Sequence, residues 1–162
     1  MLIGRDEIAA LIPHAGRMCL LESVESWSET QIHCRTSSHR DPENPLRRDG
    51  ALAAVHLVEY GAQAMAVHGG LLERAKGNSA RPGLLVAVRD LILEVARLDS
   101  IEAPLLVHAK RLVANTGGWL YFFEVEANGR KLASGRVAVI PPAAAPGASA
   151  DGLKSFSMTP AA

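Results

Sequence analysis

From Asp49 to Leu72 the sequence runs D-G-A-L-A-A-V-H-L-V-E-Y-G-A-Q-A-M-A-V-H-G-G-L-L, apolar on nearly every side of a helical wheel, with one carboxylate, Glu59, near its middle. A helix that is hydrophobic all round must be enclosed by the rest of its fold. At about 1.5 Å per residue it would be roughly 30 Å long, enough to cross a small domain. Asp49 is placed to cap its start, because a short acceptor side chain satisfies the free N–H groups of a first turn. Gly69-Gly70 and then Lys76-Gly77-Asn78 mark its fraying end. A membrane span is disfavoured: His56, Glu59, Gln63 and His68 interrupt the stretch, and a central acid is costly in lipid. The expectation is a core helix wrapped by a sheet.

The flanking segments supply that sheet. Residues 5–12 predict a short amphipathic helix with Ile8, Leu11 and Ile12 on one side, ended by Pro13 and Gly16. Residues 17–27 and 30–36 read as two strands, and 37–50 as an ordered loop stiffened by Pro42 and Pro45. After the long helix, strands are expected at 84–95, bent near Arg89-Asp90, and at 104–114, 119–127 and 131–140. Asn128-Gly129 is a strong two-residue hairpin signal. Runs of strands around one segregated helix argue for an α+β fold with an antiparallel sheet. The expected organisation is one domain over residues 1–140 and an Ala/Pro-rich flexible tail at 141–162, where Phe156 and Met158 could dock.

Charge narrows the partners. Seventeen basic and seventeen acidic residues balance, so no global field favours nucleic acid or an anionic membrane. The start, M-L-I-G-R-D-E-I, lacks a secretory pattern, and Cys19 and Cys34 make no disulfide framework. A cytoplasmic setting is expected.

The candidate chemistry lies on and before the long helix. His56 and Gln63 fall within about 60° of Glu59 on the wheel, making a polar stripe on an apolar element. The stripe is either a paired polar seam in the core or the wall of a pocket where Glu59 exchanges protons. His39 follows the second strand at the start of the proline-stiffened loop, a suitable place for a general base. Free N–H groups near Gly50 and Ala51, at the expected helix start, could hold an oxyanion. No metal site is expected, since nothing resembles a paired ligand spacing.

These residues also match a known family. V-E-Y-G-A-Q-A at 58–64 resembles the V-E-A-L-A-Q-A segment of bacterial 3-hydroxyacyl-acyl carrier protein dehydratases, which have the hotdog fold. I-P-H-A-G-R-M-C-L-L-E-S-V at 12–24 is similar to their L-P-H-R-x-P-x-L-L-x-D-x-V. The patterns H-R-D-P-x-N-P-L-R and E-Y-x-A-Q-A-M-A-V-H-G resemble still more the predicted dehydratases found with aryl polyene biosynthesis.

The resemblance implies a sheet wrapped around the helix and a dimer whose sheets join edge to edge. It implies an acyl tunnel where a histidine and the helix glutamate come from different subunits. Those roles fall on His39 and Glu59, with Gln63 orienting Glu59 and the amides of Gly50 and Ala51 holding a thioester carbonyl. The family loop H-F-P-G-x-P-x-x-P-G is replaced here by the longer H-R-D-P-E-N-P-L-R-R-D-G, which leaves His56 as an alternative base.

The implied reaction is loss of water from a (3R)-3-hydroxyacyl thioester carried on phosphopantetheine, giving a trans-2-enoyl thioester. It needs no metal or dissociable cofactor. The implied partners are an acyl carrier protein and either a second copy, a higher oligomer or a related dehydratase subunit. An acyl thioesterase and a non-catalytic acyl-binding subunit are the alternatives.

Overall fold

The computed structural model describes residues 2–142, whose strands form a seven-stranded antiparallel sheet curled about one long helix. The chain begins with a two-residue strand, β1 (Ile3–Gly4), and a short helix, α1 (Arg5–Leu11). β2 (Ser23–Trp27) and β3 (Gln31–Thr36) follow, then the long helix α2 (Leu57–Ala75). β4 (Leu84–Leu93), β5 (Leu105–Asn115), β6 (Gly118–Ala127) and β7 (Arg130–Ile140) complete the sheet. The strand order is β1-β2-β3-β5-β6-β7-β4, which leaves β1 and β4 at the two edges. The predicted tail residues 143–162, Phe156 and Met158 among them, lie outside the described residues.

Alternation along the strands sets the face that meets α2. On β6, Tyr121, Phe123 and Val125 are buried inward, while Phe122, Glu124 and Glu126 are only half-buried. Leu57, Tyr60, Ala64, Val67 and Leu71 of α2 close the core from the other side. The helix approaches the sheet at Gly61, where an added Cβ would stand 2.7 Å from the Phe123 ring. Gly70 serves a second close approach, with Leu11 of α1 3.1 Å from where its Cβ would be. Among the described residues no helix is long and apolar enough to cross a membrane.

The helix begins later than its apolar pattern suggests. Asp49 and Gly50 have φ of 50° and 74° and form a tight turn closed by two backbone bonds of 2.9 Å between Arg48 and Ala51. The chain then runs extended, because residues further on take its backbone groups: Ala54 N–H donates to Ala96, Leu98 N–H to Leu52, and Leu52 N–H to the Asp99 carboxylate. A 3-10 turn at Ala54–His56 precedes α2, so Asp49 is a turn residue and not its cap. At the other end Gly69-Gly70 does not stop the helix. It runs to Ala75, and Gly77 leaves it with φ 77°.

Two other boundaries differ for the same kind of reason. The strand expected from residue 17 starts at Ser23, because Gly16–Met18 form a 3-10 turn and the backbone after it bonds to α2. The expected bend in β4 is present: Asp90 has φ 50° and the register with β7 shifts between Arg89 and Ile92. Asn128 and Gly129, at φ 55° and 74°, make the predicted hairpin turn.

Gly61→Ala tests the closest helix–sheet approach. It should destabilise the fold by about 1–3 kcal/mol through overpacking against Phe123. The measurement is a urea midpoint, which should fall without a change in slope.

Candidate active site

Residues 13–21 leave α1 and lie against α2, and this contact builds the site. The side chain of Gln63 is fully buried. Its Oε1 accepts the Leu20 N–H at 2.9 Å, and its Nε2 donates to the Met18 carbonyl at 2.6 Å. A backbone N–H can only donate, so the orientation of the amide is fixed by its partners. Nε2 therefore also points at Glu59, donating to Oε1 at 3.0 Å. The spacing of four residues puts the two side chains on one helix face, as the sequence suggests. On the same oxygen, Glu59 Oε1, the Nε2 of His14 lies at 3.0 Å.

Glu59 is not enclosed as the apolar pattern of the helix suggests. Its side chain is 32% exposed and that of His14 29%, because both border a cleft. The cleft has a volume of about 820 Å³ and follows one face of α2 from Glu59 to Lys76. At about 1.5 Å per residue this is a run of roughly 25 Å. Leu11, Ile12, Ala62, Met65, Ala66 and Trp119 give much of it an apolar wall. The shape has room for a long apolar ligand with one end beside the carboxylate. Tyr121 also borders the cleft, and its hydroxyl meets His68 Nδ1 at 2.8 Å. The other ring nitrogen of His68 donates to the Ser28 carbonyl at 2.8 Å, so Tyr121 is the donor of the pair. Burial pushes the Tyr121 hydroxyl up to about 12 and holds His68 below its ordinary value.

His39 occupies a different environment. It sits in a 3-10 turn, Ser38–Arg40, with its ring fully buried. Its Nε2 donates to the Ile101 carbonyl at 2.9 Å, which leaves the lone pair on Nδ1. Among the described residues that buried Nδ1 has no hydrogen-bond partner, and burial depresses the pKa of the ring. The loop is secured by Asn44, whose Nδ2 donates to the Ser38 carbonyl and the Tyr60 hydroxyl, and by Arg47, which donates to the His39 carbonyl. Tyr60 follows Glu59 directly but points about 100° around α2. Within one chain, then, His39 does not line the cleft that Glu59 borders.

The other sequence candidates are placed as follows. His56 is half-buried just ahead of α2 and is not a cleft residue. Gly50 is exposed in the turn, and the Ala51 N–H already donates to Arg48. Because α2 starts at Leu57, the expected pair of free helix-start amides at Gly50 and Ala51 is not formed. His14 is a site residue that the sequence pattern does not single out. Its only sequence signal is its place after Pro13 in the I-P-H segment, and its contact with Glu59 spans 45 residues of chain, taking 59 less 14.

Burial holds the pKa values of His33, His39 and His68 below the ordinary 6.5. An unfolded chain would take up protons there that the folded chain refuses, so stability falls as pH drops through that value. The lowered carboxylates Glu25, Glu73 and Asp99 act only near and below their ordinary values, 4.5 for Glu and 3.8 for Asp. Thermal unfolding should therefore show a midpoint that declines between about pH 6.5 and pH 5. The slope should be shallower in His68→Asn.

The family model described as ApeP-like, ApeP dehydratase, matches residues 6–150. Among solved structures, the dehydratase heterocomplex ApeI:P from Xenorhabdus doucetiae aligns with a TM-score of 0.75 at 23% identity, covering 91% of this chain and 95% of that one. Zebra fish thioesterase superfamily member 2 aligns at 0.60 and 18% identity, covering 85% and 94%. A hypothetical thioesterase with coenzyme A from Streptococcus pneumoniae aligns at 0.56 and 10% identity, covering 74% and 86%. No curated protein matches by sequence. These likenesses show that the fold is the hotdog fold.

Proposed function

The chain belongs to the ApeP dehydratase family, and we propose that it removes water from (3R)-3-hydroxyacyl thioesters carried on the phosphopantetheine arm of an acyl carrier protein. The observation that carries this reading is the carboxylate of Glu59. One of its oxygens is held by a buried amide, and the group faces a long cleft with a largely apolar wall. The acyl chain lies along α2, and the thioester end meets Glu59. In the proposed step His39 Nδ1 takes the C2 proton, the C3–O bond breaks, and Glu59 protonates the departing hydroxyl to give water and a trans-2-enoyl thioester. Proton return from His39 to Glu59 resets the pair, so the chemistry calls for no metal or separate cofactor. Two free buried cysteines, Cys19 and Cys34, suit a reducing cytoplasm.

In this reading His39 serves the glutamate of a second protomer. Among the described residues β4 stands at an edge of the sheet, which supports such an assembly. β4 exposes Leu84, Leu85, Val88, Ile92 and Leu93, and a long apolar edge is a template for pairing. The partner is a second copy or a related dehydratase subunit, and the ApeI:P heterocomplex is an assembly of the latter kind.

A second reading, a non-catalytic acyl-binding subunit, rests on the enclosure of His39 Nδ1 and its separation from the cleft. Intact mass after incubation with 3-hydroxyacyl carrier protein separates the two. Loss of one water supports the dehydratase, release of free carrier identifies a thioesterase, and an unchanged mass favours the binding subunit. Glu59→Gln and His39→Ala should each reduce dehydration by about 10²-fold or more. Full rates in both would remove these residues from the reaction.

For the assembly, Leu84→Lys with Ile92→Lys should turn a dimer into protomers in sedimentation velocity, by placing like charges on the apolar edge.

A further inference from the structure

His14 is the member of the site that the reaction just described does not use. Its Nε2 stands 3.0 Å from Glu59 Oε1, the oxygen that also receives the Gln63 amide at 3.0 Å. Two side-chain nitrogens meet one oxygen, the Gln63 amide as a hydrogen-bond donor and the His14 ring as an ion-pair contact, which restricts the rotation of the carboxyl group and leaves Oε2 as the atom free to act. We propose that His14 is a positioning residue for Glu59: it holds Oε1 together with Gln63 and presents Oε2 to the substrate. The proposal rests on the dehydratase reading for its kinetic consequence and on geometry alone for the contact.

The geometry assigns His14 to Glu59. Nε2 faces the carboxylate, and among the described residues the buried Nδ1 has no hydrogen-bond partner. With Nε2 turned to the carboxylate, the ring is placed to act through Glu59. Its Nε2–H stabilises the negative charge that appears when Glu59 gives its proton to the leaving hydroxyl, a charge-assisted bond stronger than a neutral one.

His14 and Gln63 divide the task in a way the backbone explains. Gln63 is pinned at both ends of its amide by Leu20 and Met18, so it is a fixed strut. His14 belongs to the same segment but lies at its partly exposed start, between Pro13 and a Gly16 with φ 58°. The proline and the turn aim the ring back at α2, in the position where a donor can secure the carboxylate on its solvent side.

Three full-length variants and one spectrum test this. His14→Gln carries an N–H close to where Nε2 stands, and His14→Ala carries none. His14→Ala should lower kcat by about tenfold or more with KM changed by less than about twofold, and His14→Gln should recover most of the loss. Equal loss in both folded variants, or no loss in His14→Ala, would overturn the proposal.

The spectrum needs no turnover, so it answers even if the wild-type protein leaves 3-hydroxyacyl carrier protein unchanged and the dehydratase reading fails. Long-range 1H–15N correlation of the neutral His14 ring should show the Nε2–H tautomer in the wild type and a mixture in Glu59→Ala. The same tautomer ratio in both would sink the contact.

Discussion

The buried amide of Gln63 is the contact on which the site depends. It joins two parts of the chain that the sheet alone would leave independent, the segment after α1 and the middle of α2. Both ends of the amide meet backbone groups, and it is fully buried, so a substitute leaving those groups unpaired would cost about 1–3 kcal/mol for each. The same side chain then reaches Glu59. One residue thus satisfies the loop, fixes the loop's path and aims the carboxylate.

That fixed path has consequences for the cleft. Because residues 16–20 are occupied with α2, β2 starts late and the chain before it stays at the rim beside Glu59. α2 separates its polar duties around its circumference: Glu59 borders the cleft, while Tyr60 anchors the loop that buries His39. A helix with about 100° between successive residues can serve two such surfaces from adjacent positions. The cost of this division is that one chain keeps its two proton-transfer candidates apart.

The sheet carries a further constraint. Among the described residues β4 pairs only with β7, and it carries several large apolar side chains outward. Soluble chains blunt such edges or cover them, and here the strand retains Leu84, Leu85 and Ile92 in the open. Assembly along this edge is the arrangement proposed for bringing a histidine of one protomer to the glutamate of another.

Much of the fold was legible in the sequence because it rests on local periodicity. The alternation of β6, the Asn128-Gly129 turn, the bend at Asp90 and the apolar circumference of α2 follow from which face each residue presents. The pairing of Glu59 with Gln63 was legible for the same reason, since four residues are close to one helical turn. What sequence could not settle were the bonds between distant segments. Residues 96–99 take the backbone of 52–54 and delay the helix to Leu57, where propensity had begun it at Asp49. The arrival of His14 at Glu59 and the enclosure of His39 against Ile101 likewise depend on long-range contacts. Local pattern determined the elements and the acid; only tertiary packing decided which groups stand beside that acid, because no periodicity encodes a hydrogen bond formed across the fold.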